Sequence, residues 1–166
     1  MTTDVIVARI DASPGRRLFG LGVLIALGAM VIWLGLTQPG GALVWRAGLI
    51  LLGAAVLLAA RSMHRATALT LLLSDTELRA SDGALLAHVD DIAGVDRGTF
   101  AFKPSNGFLI KLKTPAPRAW RPGLYWRFGR RIGVGGVAHA SQSKAMADAL
   151  TIMLVERNVR ENADEG

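Results

Sequence analysis

Two stretches, LFGLGVLIALGAMVIWLGL (18–36) and ALVWRAGLILLGAAVLLAA (42–60), decide the class of this chain. The first has no ionisable side chain and the second has Arg46 alone. Each holds about 19 residues, or about 28 Å of α-helix, against a hydrocarbon core of about 30 Å. A core helix of a soluble domain is usually shorter and shows a polar face, which neither stretch has. The reading is a transmembrane helical hairpin. Thr37-Gln38-Pro39-Gly40-Gly41, uncharged and rich in helix breakers, makes the turn between the spans.

The flanks orient it. Trp33 and Trp45 fall beside the turn, where an aromatic belt meets the membrane surface. Arg16 and Arg17 precede the first span, and Arg61 and Arg65 follow the second. The positive-inside rule therefore places both termini in the cytoplasm. Arg46 has two readings, snorkelling to the nearby outer interface or a buried functional role. Arg16-Arg17 resembles a twin-arginine signal only superficially, because the apolar run exceeds a signal's h-region, no small-residue cleavage site follows and a second span comes next. The spacings Gly22/Ala26 and Ala55/Ala59 let helices approach closely, and they serve contact within the hairpin or a homo-oligomer equally well.

Hydrophobic residues make up 51% of the chain, mainly through these two runs, and the net charge is +6. Up to Arg65 there are six arginines against Asp4 and Asp11, while the rest carries thirteen cations and eleven anions. The basicity thus belongs to membrane flanks more than to a nucleic-acid surface, and no nucleic-acid partner is expected. Arginine outnumbers lysine, and alanine and glycine are abundant, a usage that points to a GC-rich bacterial genome and hence to the inner membrane. The absence of cysteine excludes disulfides, thiolate catalysis and cysteine-ligated zinc.

Around the hairpin the pattern is that of strands. Residues 4–10 are β-branched and read as a strand that joins the soluble sheet, within an N-terminal segment 1–14. After the hairpin (15–65) a domain is expected over 66–158. Its strands fall at 68–74, 77–80, 84–89 and 92–103, then at 108–113 with alternating apolar and cationic residues. A Pro-rich loop over 114–123 leads to strands near 124–128 and 132–137. From Ser141 as N-cap, Ala145, Met146, Ala149, Leu150, Met153 and Leu154 make one apolar helix face that fades near Asn158, and 159–166 is expected to be a disordered acidic tail. The fold class is α+β: an antiparallel roll or barrel of about seven short strands closed by a C-terminal helix.

Four stretches carry a resemblance. They are Ala8-Arg9-Ile10-Asp11-Ala12-Ser13-Pro14, then 71–78 with Ser81-Asp82-Gly83, then Val89-Asp90-Asp91-Ile92, and Arg131-Ile132-Gly133-Val134-Gly135-Gly136. With a hairpin inserted after an initial strand, the chain resembles the bacterial pleckstrin-homology-like (PH-like) membrane proteins. That resemblance implies a PH-like fold over most of the chain and no catalytic residues. The basic phosphoinositide signature of eukaryotic members has no match here, so inositide binding is not implied.

Candidate chemistry is sparse. His64, His88 and His139 lack metal-ligand spacing, and no metal or cofactor is expected. His88 beside Asp90 and Asp91 is the one arrangement an enzyme could use, but neighbouring residues of an extended segment point to opposite faces, and the aspartates suit a turn or cap better. Gly133-x-Gly135-Gly136 lacks the rest of a phosphate-loop fingerprint and reads as a strand bend. One patch concentrates aromatic and cationic groups: Arg118, Trp120, Arg121, Tyr125, Trp126, Arg127, Arg130 and Arg131. It fits contact with anionic lipid or a protein partner, and equally a packed core with a solvated cationic face. The expected role is non-enzymatic, a cytoplasmic domain for protein or lipid-surface interaction. An accessory subunit of a larger membrane complex and a membrane-tethered enzyme are the alternatives.

Overall fold

Proline suits the first turn of a helix, where its missing N–H would have no partner, so Pro14 starts the first helix ahead of the apolar run. The computed structural model describes residues 5–38, 42–98 and 104–164. Helix α1 spans Pro14–Thr37 and helix α2 spans Leu43–Ala66, both long and apolar enough to cross a membrane. They outrun the expected spans because the arginine-bearing flanks continue the helices. Residues 39–41 of the expected turn lie outside the described residues.

The chain divides into two compact units, Pro14–Ala66 and Met1–Ser13 with Thr67–Gly166. In the first, the buried residues are Leu21, Gly28 and Gly35 of α1 and Gly53, Ala60 and Ala66 of α2. Apart from Ala66 they recur every seven residues, the period of a straight seam between two helices. A Cβ at Gly53 would stand 2.8 Å from the Gly28 carbonyl oxygen and 3.0 Å from the Ile32 nitrogen, so the two backbones are in direct contact. Gly22, Ala26, Ala55 and Ala59 are exposed in this unit. The small residues that hold the pair together follow a seven-residue period, and the four-residue spacings lie on other faces.

The second unit is α+β. Strand β1 (Ile6–Ile10) precedes the helices, and β2 (Leu71–Ser74), β3 (Glu77–Ala80), β4 (Leu85–His88), β5 (Ile92–Asp96), β6 (Phe108–Arg121), β7 (Tyr125–Val134) and α3 (Ala140–Asp164) follow them. Two antiparallel sheets form, ordered β1-β2-β3-β4 and β5-β6-β7. They are separate sheets, so the expected single roll or barrel is corrected to two layers among the described residues. Ile10, Leu71, Leu73, Leu78, Leu86, Ile92, Phe108, Ile110, Ile132, Met146 and Leu150 fill one core between the sheets and α3.

Several boundaries differ from the sequence reading. The 92–103 strand ends at Asp96, and 99–103 lie outside the described residues. The Pro-rich stretch is part of strand β6. Pro115 and Pro117 cannot donate to a ladder, and they sit where the register with β7 slips, between Lys111 and Ala116 and between Ala116 and Ala119. Strands expected at 124–128 and 132–137 are one strand, β7. Helix α3 starts at Ala140, so Ser141 lies inside it rather than capping it, and it continues to Asp164 through most of the expected tail. Its buried face is Met146, Ala147, Leu150 and Leu154, with Ala145 exposed.

Where the chain leaves the sheet for α1 and returns from α2, one carboxylate ties the ends together. Asp11 accepts from the Thr70 hydroxyl at 2.7 Å, from Arg9 at 2.7 and 3.0 Å and from the Gln142 amide at 3.3 Å, and its own N–H donates to Gln142 Oε1 at 2.8 Å. Burial pushes the Asp11 carboxyl up, but the bonds from Thr70, Arg9 and Gln142 outweigh it and hold the group below the ordinary value of 3.8. A depressed native pKa contributes stability above the unfolded value and loses it as pH falls through the native one. Asp11→Ala is therefore expected to cost about 2 kcal/mol at neutral pH. In denaturant titrations of the full chain in detergent, the gap between parent and variant should narrow below about pH 4. A gap independent of pH would refute the ionised latch.

Candidate functional site

The long hairpin of β6 and β7 carries the aromatic and cationic residues. Phe108, Ile110 and Leu112 alternate into the core, and Ile132 and Val134 pair opposite Ile110 and Phe108. The intervening pairs, Leu109 with Gly133 and Lys111 with Arg131, therefore lie on the other face of the ribbon, where Leu109 and Gly133 are covered and Lys111 and Arg131 are exposed. The ribbon bends sharply enough for its tip to return to its base: Gly135 N–H donates to the Leu124 carbonyl at 2.9 Å, and Val137 N–H to that of Gly123 at 3.0 Å.

This return lays the Trp126 ring over Gly133, where a Cβ would overlap the indole. Gly133 itself lies in regularly paired strand rather than in a bend, and its missing side chain makes room for an aromatic ring. Trp120 is the register partner of Trp126, and Phe128 packs on Trp126 with ring centroids 5.7 Å apart. Trp120 is 69% and Phe128 49% exposed. Trp120, Trp126 and Phe128 thus form an aromatic cluster on the face that also presents Arg131 and Lys111, the latter paired with Asp96 at 3.4 Å.

The structure separates the remaining patch residues. Tyr125 and neighbouring Leu124 are buried in the core. Arg127 donates to the Pro117 carbonyl at 2.7 Å and to those of Leu85 and Leu86 at 2.9 and 2.7 Å, fastening the ribbon to β4. Arg121 pairs with Asp82 at 3.0 Å. These two arginines are tied to the protein itself. Among the described residues, Lys113, Arg118, Arg130 and Arg131 make no hydrogen bond or ion pair, and all four are exposed.

Reading the patch alone missed Lys111, Lys113 and Phe128. A signal for the cations was present. Between Asp96 and Asp148 there is no acidic residue, and the same stretch holds Arg97, Lys103, Lys111, Lys113, Arg118, Arg121, Arg127, Arg130, Arg131 and Lys144. The near balance of the domain as a whole hides this segregation.

His88 is exposed on β4 and makes no hydrogen bond with Asp90 or Asp91, which lie in a 3-10 turn (Val89–Asp91). Asp91 accepts from the Thr114 N–H at 3.1 Å and from its hydroxyl at 2.9 Å, holding the middle of β6. Arg157 of α3 donates to the carbonyls of Val89, Asp90 and Ile92 and fixes the same turn. A cavity of about 510 Å³ lies here, lined by Asp75, Asp90, Met153, Glu156, Arg157 and Arg160. Among the described residues, no group of three or more His, Asp or Glu side chains is placed to hold a metal ion.

In the helical unit, Arg46 donates to the carbonyls of Gly35 and Leu36 at 3.1 Å each. Arg17 donates to the His64 carbonyl at 3.3 Å and to its Nδ1 at 3.2 Å. Each arginine is the fourth residue of its helix, and each caps the last turn of the other, where unsatisfied carbonyls and the dipole favour a cation. Comparison with protein-family models, with curated proteins and with solved structures finds no match to this chain.

Proposed function

We propose that this chain is a non-enzymatic binding module anchored in a bacterial inner membrane. In this reading α1 and α2 span the bilayer with both termini cytoplasmic, and the two-sheet domain with its closing helix is PH-like. The reading is supported by the length and apolarity of both helices, by the arginines at one end and Trp33 and Trp45 at the other, and by the mutual arginine caps, which satisfy carbonyls that lipid cannot. The observation that carries the binding role is the exposed Trp120/Trp126/Phe128 cluster flanked by cations, in a domain joined directly to both helices at Ser13–Pro14 and Ala66–Thr67. Aromatic and arginine side chains dominate contact energies where a surface docks.

Topology is the first test. A reporter active only in the cytoplasm should work when fused at the C-terminus and fail when inserted within 37–41, and a reporter active only outside should do the reverse. An external C-terminus would sink the orientation and the cytoplasmic domain together. The exposed Gly22, Ala26, Ala55 and Ala59 favour a second reading, an accessory subunit whose helices pack against other spans. Co-purification of a stoichiometric membrane partner in mild detergent, lost on Gly22→Leu and Ala55→Leu, would establish it.

A further inference from the structure

We infer that the outer face of the β6–β7 ribbon docks on anionic phospholipid headgroups. The inference rests on the reading that α1 and α2 span a bilayer. Three observations converge on this occupant. The ribbon lies within a stretch without a single acidic residue, and its Lys113, Arg118, Arg130 and Arg131 have no partner among the described residues. The cations share the ribbon with exposed indole and phenyl rings, and an amphipathic indole such as Trp120 favours the headgroup level, where one end is apolar and the other wet. The domain is joined to both membrane helices without a linker, so lipid headgroups are present at high effective concentration.

An acidic protein surface would satisfy the charges. It does not come with the tether, and the hollow beside Trp120, lined also by Pro104, Gly123, Trp126 and Gly136, holds only about 80 Å³, too little for a partner's large side chain. Arg121 and Arg127 take no part in docking, because their guanidinium groups are bound to Asp82 and to strand carbonyls. Lys111 is likewise paired, with Asp96 at 3.4 Å. The docking set is Trp120, Phe128, Lys113, Arg130 and Arg131, with Arg118 beside them.

The chain has no cysteine, so one introduced cysteine carries a spin label at a single place. The full chain labelled at Arg118→Cys is reconstituted in nanodiscs of phosphatidylcholine, with or without phosphatidylglycerol. A second preparation is labelled at Leu27→Cys, an exposed position on α1. Collisions with oxygen and with a water-soluble relaxation agent then report depth. The expected result is a label at 118 shielded at the headgroup level in anionic discs and free in neutral ones. Arg130→Gln with Arg131→Gln should lower the docked-to-free ratio about thirtyfold, and adding Lys113→Gln should lower it about a hundredfold. High salt should release the docked state, since screening shortens to about 3 Å at 1 M. Trp120→Ala should lower the ratio about tenfold by removing partial burial of one large side chain.

A label at 118 that stays in water in anionic discs, while the label at 27 reports the bilayer core, would overturn the docking and leave the spanning reading intact. A label at 27 in water would overturn both. Equal depth in neutral and anionic discs, or shielding only when two copies share a disc, would overturn the lipid assignment. The latter would give the face to a second copy of this chain.

Discussion

Gly107→Val is expected to unfold most of the β domain, at a cost of about 3 kcal/mol or more. Gly107 follows the turn made by Ser105 and Asn106 and immediately precedes β6, with its N–H donating to the Pro104 carbonyl at 3.1 Å. A Cβ there would overlap the Val134 carbonyl oxygen and stand 2.8 Å from the Gly135 Cα. Both obstacles are backbone, so no side chain can rotate to make room, and β6 must move off β7 at its most buried pairs. Gly94→Val in β5 is the matched control, because a Cβ there meets nothing within 4 Å. It should change stability by less than about 0.5 kcal/mol. Denaturant unfolding of the full chain in detergent, followed by near-ultraviolet circular dichroism, separates the two. Similar midpoints for both variants would refute the close approach.

Some of this architecture is legible because one local rule decides it. The runs at 18–36 and 42–60 admit only helices of great length. Ser81-Asp82-Gly83 is a turn whatever surrounds it, and Gly83 has φ of +84° there. The stripe Met146, Leu150, Leu154 is helical by spacing alone. Elsewhere the deciding partner is distant. Pro115 and Pro117 argue for a loop until β7 is seen to tolerate a slip in register opposite them. The fate of Arg127 depends on two carbonyls in β4, more than forty residues away. Trp126 reads equally as core or surface until the ribbon bends back and Gly133 receives its ring. The candidate face was therefore legible as composition, and its division into docking and fastening residues was not. The seven-residue seam of Leu21, Gly28 and Gly35 was written in the sequence, but abundant glycine and alanine concealed it among chance spacings.

Arg46→Leu should weaken the helical pair by about 3 kcal/mol, although it removes the one charge from an apolar run. Hydropathy alone gives the opposite sign, since arginine disfavours membrane insertion by up to about 3 kcal/mol and leucine favours it. The structure decides between them through two bonds. Arg46 spends its charge on the carbonyls of Gly35 and Leu36, each at 3.1 Å, at the end of α1. Without it those groups have no cation to offset them, and in the proposed bilayer setting lipid has no donor to offer. A lysine brings one ammonium to two diverging carbonyls, so Arg46→Lys should fall between parent and leucine variant. Arg17→Leu removes the counterpart bond to His64 at an exposed position and should cost about 1 kcal/mol. Unfolding of the full chain in mixed micelles of mild detergent and dodecyl sulfate, followed by helical circular dichroism, measures the pair, while a glycosylation-mapped insertion assay measures partitioning. Better insertion with a lower unfolding midpoint is the signature of the cap. A leucine variant that raises both would mean that Arg46 merely snorkels, and that the carbonyls of α1 find their partners elsewhere.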